Sequence, residues 1–214
     1  MKAILKFSIL LTTTICMISG CSKAQNSTTD PSATVPGKVD SGKNVLVVYL
    51  SRTKNTKAIA EIIQKTVGGK LVSLELEKPY PENYQAIVAQ VAQENSSGYL
   101  PPLKTKIDSI QKYDLIFIGF PTWGMQLPPP MKSFLSSYDL TGKTIIPFNT
   151  NAGYGIGSTF QTVKDLAPSS NILEGFSTRG GIERDGVYFV MEGEKEKQAQ
   201  LEVQKWLQKI EIVK

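Results

Sequence analysis

Three short segments of the 214-residue chain hold the residues best suited to chemistry. The first, Ser51-Arg52-Thr53-Lys54-Asn55-Thr56, offers hydroxyls and backbone N–H groups just ahead of a helical pattern, which is what a phosphate dianion needs. The second, Pro121-Thr122-Trp123-Gly124, presents one large flat ring for stacking. The third, Asn149 to Gly157, is polar and glycine-rich, so its backbone can approach the edge of a planar ligand. Its Gly153-Tyr154-Gly155-Ile156-Gly157 run superficially looks like a dinucleotide fingerprint, but it does not follow the first strand and lacks the usual spacing, so NAD binding there is rejected. No Gly-Lys-Ser/Thr follows the first strand either, which removes a nucleoside triphosphatase.

The absent residue types narrow the chemistry further. There is no histidine, and the only cysteines are Cys16 and Cys21, so Ser-His-Asp and Cys-His nucleophile systems, a zinc site and a cysteine-ligated iron–sulfur cluster are excluded from the body of the chain. An enzyme of this composition would take its chemistry from a bound organic cofactor. The formal charge of +5 arises mostly near the N-terminus, where Lys2, Lys6, Lys23, Lys38 and Lys43 outweigh Asp30 and Asp40. From Asn44 onward 19 basic residues face 17 acidic ones, with no basic stripe interleaved with aromatics, so no nucleic-acid partner is expected.

The elements that must position the three segments alternate in type. Val45 to Leu50 is an apolar run typical of a strand buried on both faces of a parallel sheet. A helix follows with Ile59, Ile62, Ile63 and Val67 on one side and Gly68-Gly69 as its stop. Lys70 to Leu76 reads as a second strand, and Tyr84, Ile87, Val88, Val91 and Ala92 give the stripe of a second helix. Asp114 to Phe120 is a third strand. Pro128-Pro129-Pro130 opens a helix whose buried face is Met131, Phe134 and Leu135, because a missing N–H is harmless in a first turn. Lys143 to Phe148 is a fourth strand, followed by a helix from about Ser158 to Leu166, a fifth strand over Ile172 to Phe176, and a closing helix faced by Ala199, Val203, Trp206, Leu207 and Ile210. Trp206 reads as core. Arg179, Glu183, Arg184 and Asp185 read by default as a solvated loop, with a substrate or partner contact as the minority view. Five strands alternating with helices imply one doubly wound α/β domain over 44–214, with ligands beyond the carboxyl ends of the strands.

Ahead of the domain, Lys2 and Lys6 precede a short apolar stretch from Phe7 to Met17, the pattern of a secretory signal peptide. Ile18-Ser19-Gly20-Cys21 resembles a bacterial lipobox, which implies a signal peptide over 1–20 and lipidation of Cys21, with the membrane reached through that anchor only. An uncleaved anchor, or an ordinary signal peptide with an incidental cysteine, is the alternative; each places the domain outside the cytoplasm. Residues 21–43 then read as the lipidated cysteine and a flexible tether, too poor in apolar side chains to fold.

The three loops, in this order on these elements, resemble the flavodoxin family. FPTWGMQLPPPMKSF from Phe120 to Phe134, with IPFNTNAGYGIGS from Ile146 to Ser158, is similar to its bacterial flavodoxin-like lipoprotein and reductase relatives. The resemblance implies a flavodoxin-like five-stranded parallel sheet in the order 2-1-3-4-5 with helices on both faces, binding flavin mononucleotide (FMN). It implies a phosphate site at Ser51 to Thr56, ring and ribityl contacts from Pro121, Thr122, Trp123 and Gly124, and closure of the other side of the ring by Thr150, Asn151, Gly153 and Tyr154. Core packing or plain surface exposure are the alternatives for Trp123. The family's phosphate loop commonly has glycine where this chain has Lys54, so either the loop avoids a glycine-only conformation or phosphate binding weakens. Three functions follow: FMN-based electron transfer with an unidentified redox partner protein or small acceptor; an FMN-dependent NAD(P)H oxidoreductase of quinone, nitro or azo type; and a non-redox module on a degenerate fold.

Overall fold

A computed structural model describes residues 42–214. Cys21, its lipobox and nearly all of the tether lie outside the described residues. The elements are β1 (Val45–Tyr49), α1 (Asn55–Val67), β2 (Lys70–Ser73), α2 (Tyr84–Ser97), β3 (Leu115–Pro121), α3 (Pro129–Ser137), β4 (Thr144–Asn151), α4 (Thr159–Leu166), β5 (Asn171–Ile172), β6 (Phe176–Arg179) and α5 (Gly193–Lys209).

All strand pairs are parallel, and the order is β2-β1-β3-β4-β5, with β6 also on β4. β5 and β6 are two halves of one edge strand, so the sheet keeps the expected five positions. Its fifth strand, read from the sequence as Ile172 to Phe176, is instead interrupted just there, at 173–175. The cause lies on β4. The Ile145 carbonyl accepts from Leu173 N–H (3.0 Å), so residue 147, two positions on, faces the same edge. That residue is Pro147, which has no N–H to offer, and the ladder lapses until Phe148 meets Phe176. β2 is also shorter than the expected Lys70 to Leu76, because from Glu75 the chain turns to pair with 102–104.

Strand alternation divides the apolar residues between two cores. Val45, Val47, Phe117, Ile146 and Phe148 face α1 and α5, while Leu46, Val48, Ile116, Ile118 and Phe120 face α3 and α4. Trp206 lies in the first core, tilted against Phe176 at 5.3 Å and donating its Nε1–H to the Glu174 carbonyl (2.9 Å). Pro128 caps α3 with Pro129 and Pro130 in its first turn. After β2 the chain crosses back over β1 to β3, and this reversal is the topological switch point, beyond whose strand carboxyl ends a crevice is expected.

Candidate functional site

The Ser51–Thr56 segment runs from β1 into α1. Among the described residues, the backbone N–H groups of Thr53, Lys54, Asn55 and Thr56 donate to no protein acceptor, whereas those of Lys57 and Ala58 are satisfied by Ser51 Oγ (3.2 Å) and the Lys54 carbonyl (2.9 Å). No acidic residue lies in the first turn of α1 to offset its dipole. Four free donors at an uncompensated helix N-terminus attract an anion. Lys54 has φ 66°, ψ −6°, the left-handed conformation. The loop therefore keeps the shape that favours glycine, and the lysine adopts it at a cost of about 1 kcal/mol.

The side chains of this loop mostly hold other parts in place. Arg52 donates from Nε to Glu183 (2.7 Å) and from its terminal nitrogens to the carbonyls of Pro81 (3.0 Å) and Glu82, so its guanidinium braces two neighbouring loops. Asn55, 2% exposed, donates to Thr53 Oγ1 (2.8 Å) and the Tyr188 carbonyl (2.6 Å) and accepts from Val190 N–H (3.1 Å). Its side-chain capacity is nearly spent on fastening the 188–190 segment to α1. Thr56 Oγ1 lies 2.8 Å from Thr150 Oγ1, a buried link from α1 to the end of β4.

The second loop is a tight turn. Trp123 and Gln126 exchange backbone hydrogen bonds (3.0 and 3.2 Å), and both central residues have positive φ, Gly124 at 56° and Met125 at 61°, the signature of a type I′ turn. Thr122 is fixed by Asn149, whose Nδ2 donates to its Oγ1 (2.9 Å). The turn rests on the third segment: Ser158 N–H donates to the Met125 carbonyl (3.0 Å), and a Cβ at Gly157 would sit 2.1 Å from that oxygen. Trp123, half-buried, packs on the second core at its base and meets Tyr80 edge-to-face at 5.6 Å.

The third segment begins later than expected. β4 runs three residues past Phe148, so Asn149, Thr150 and Asn151 are strand and only Ala152 to Gly157 is loop. Asn151 Oδ1 accepts from the N–H groups of Gly153 (2.8 Å) and Gly155 (3.2 Å), folding the glycine run over the strand end. Tyr154 is 63% exposed and accepts a hydrogen bond at its hydroxyl from Arg184 (3.1 Å).

Arg52, Thr53, Asn55, Thr56, Pro121 to Gly124, Thr150, Asn151 and Tyr154 all line one cleft of about 910 Å³, at the upper end of the range for small-molecule sites. Ser51, Lys54 and Gly153 stand beside it as backbone and turn residues. Two further walls complete the cleft, the first from the segment whose ligand contact was the minority view and the second not expected. Gly180 to Arg184 line the cleft instead of forming a solvated loop, because Arg52 holds Glu183 and Tyr154 holds Arg184. The apolar stripe of α2 forms the other wall. Behind it Glu94, 6% exposed, accepts from Gln90 Nε2 (2.8 Å) and from the Tyr80 hydroxyl (2.5 Å). Burial, reinforced by that carboxylate, pushes the Tyr80 phenol well above its ordinary value, so it remains a donor. The one sequence signal for this network was a glutamate in register with Ile87 and Val91.

The cleft has the features a flavin nucleotide requires: free N–H donors for a phosphate, an aromatic ring held from behind, and glycines that let backbone approach a ring edge. Comparison with known proteins agrees. Residues 44–193 match the family model described as Flavodoxin. Among solved structures, a candidate flavoprotein from Bacteroides eggerthii is 28% identical, with a TM-score of 0.64 over 79% of this chain and 99% of that one. A second, from Bacteroides uniformis, is 29% identical with a TM-score of 0.60, over 67% of this chain and 95% of the other. A flavoprotein from Lactobacillus acidophilus, solved in complex with FMN, is 23% identical with a TM-score of 0.55, over 64% and 93%. The search of curated proteins found no match.

Proposed function

Because this chain belongs to the flavodoxin family, we propose that its cleft binds FMN and that the protein transfers electrons through it at the outer face of the bacterial membrane. The observation that carries the reading is the set of unpaired N–H groups from Thr53 to Thr56, in the loop that lines the same cleft as Trp123 and Tyr154.

Thr53, Lys54, Asn55 and Thr56 would hold the phosphate through backbone donors, and the Lys54 ammonium adds attraction from outside. Pro121, Thr122, Trp123 and Gly124 would meet one side of the ring, with Tyr154 and the Asn151-fixed glycine turn on the other. Bound FMN supplies one- or two-electron redox chemistry. The chain's own part is orientation and electrostatics: the Trp123–Gln126 turn sets which backbone groups meet the ring edge, and Asn149 holds Thr122 in place.

An FMN-dependent NAD(P)H oxidoreductase is the second reading, favoured by the Gly180–Arg184 segment lining the same cleft. The degenerate-module reading rests on Lys54, which holds a left-handed conformation that favours glycine, and the FMN titration below decides it. Location rests on the lipobox-like Ile18 to Cys21 alone. Cys21→Ala should release the domain from the membrane fraction; retention would sink the anchor.

Titration of the purified protein with FMN tests the cofactor. Quenched flavin fluorescence and a protein-bound flavin spectrum are expected, and a colourless protein that ignores FMN overturns the proposal. NAD(P)H oxidation by the loaded protein separates the second reading from the first.

A further inference from the structure

Tyr80 and Glu94 form a phenol–carboxylate pair that neither the phosphate site nor the ring contacts use, and neither residue lines the cleft. The Tyr80 hydroxyl donates to Glu94 Oε2 (2.5 Å), and Gln90 Nε2 donates to Oε1 (2.8 Å). Glu94 is buried, and among the described residues no lysine or arginine pairs with it. It also lies within the last four residues of α2, at the helix end whose dipole disfavours a negative charge. A glutamine there would accept the same hydrogen bond without the cost of burying a charge. What the carboxylate adds is a base.

Tyr80 is at the same time the ring neighbour of Trp123, edge-to-face with centroids 5.6 Å apart and planes at 81°. The indole that lines the cleft therefore touches a phenol whose proton already points at a base. Burial, with the carboxylate beside it, raises the phenol well above its ordinary value, so no phenolate is present to give up an electron alone. Electron and proton must leave Tyr80 together.

We propose that Trp123, Tyr80 and Glu94 form a relay that moves an oxidising equivalent off the cleft wall. When a one-electron oxidant in the cleft takes an electron from the Trp123 indole, Tyr80 gives an electron to the resulting radical cation. The Tyr80 O–H bond breaks and its proton moves to Glu94 Oε2, leaving a neutral phenoxyl radical and a neutral carboxylic acid. Charge balances, since a positive indole and a negative carboxylate both become neutral. An indole that has first lost its N–H proton to water takes one back in the same step. The ring in reach of a bound ligand is thereby restored. Any such oxidant can drive the relay; that a photo-excited flavin supplies it rests on the FMN reading.

The test is pulse radiolysis of the full chain without flavin, with azide radicals as the one-electron oxidant. Decay of the tryptophan-radical absorption should be matched by growth of tyrosyl-radical absorption, first-order, independent of protein concentration and slower in D2O. Tyr80→Phe keeps the ring contact and should abolish the matched growth. Trp123→Phe should abolish it too, because the ring neighbours of the remaining Trp206 are Phe117 and Phe176. Glu94→Gln should slow the step by about a hundredfold, the low end of what a positioned base contributes. Far-UV circular dichroism checks the fold of each variant. Growth that survives Tyr80→Phe, or that scales with protein concentration, overturns the relay and leaves the FMN reading standing. An equal rate in Glu94→Gln, or no slowing in D2O, overturns the role of Glu94 as proton acceptor. The expected kinetics in a chain that ignores FMN keep the relay and sink the flavin reading.

Discussion

α1 and α2 look alike as sequence and do opposite things in the fold. Each carries aliphatic residues at i, i+3, i+4 spacing. On α1 the stripe of Ile59, Ile62, Ile63 and Val67 is buried against β1 and α5. On α2 only Ile87 and Val91 of the aliphatic stripe are buried, and Val88 and Ala92 stand open to the cleft. An amphipathic pattern thus says that a face seeks apolar company, and not whether that company is the protein's own core or a ligand.

Mutations should separate the two helices, and the largest effect belongs to α1. Ile63→Ala removes a fully buried side chain and should cost about 2–5 kcal/mol in urea unfolding; a loss below 1 kcal/mol would mean that α1 is no better packed than α2. Next comes Asn55→Ala at the head of α1. It strands the Tyr188 carbonyl and Val190 N–H, and should cost about 1–3 kcal/mol and raise hydrogen exchange in 180–190. Unchanged exchange there would show that the segment holds itself.

Trp123→Ala, across the cleft from α2, should leave stability nearly intact and weaken FMN by about tenfold, or ~1.4 kcal/mol. Equal affinity in the variant would remove the ring from the site. Lys54→Gly relieves a left-handed lysine and should raise stability by about 1 kcal/mol, while FMN affinity falls with the lost charge. A destabilised variant would show that the conformation carries no strain. The smallest change is expected at Val88→Ala, within about 0.5 kcal/mol, as for a surface position; a cost near that of Ile63→Ala would erase the contrast between the helices.

The alternation of strands and helices was legible because buried parallel strands must be continuous apolar runs, as at Val45 to Tyr49 and Leu115 to Phe120. The three loops were legible for a related reason: chemistry at strand ends needs hydroxyls, a ring and glycines in fixed order. Local spacing could not show that the fifth strand breaks opposite Pro147, since the missing N–H matters only once β4 has a neighbour on that side. Nor could it show that Asn149 to Asn151 extend β4, because polar residues at a strand end look like loop until β3 and β6 pair with them.

By itself the sequence determined the order of elements, the family, and which residue types face the crevice, for these depend on periodicity and on side-chain chemistry. Only the tertiary structure decided that Arg52 and Asn55 serve as braces, that Tyr80 and Glu94 back Trp123, and that 180–184 and α2 wall the cleft. Those roles arise from contacts between residues far apart in the chain, 133 positions in the case of Asn55 and Tyr188, and no local pattern encodes such a distance.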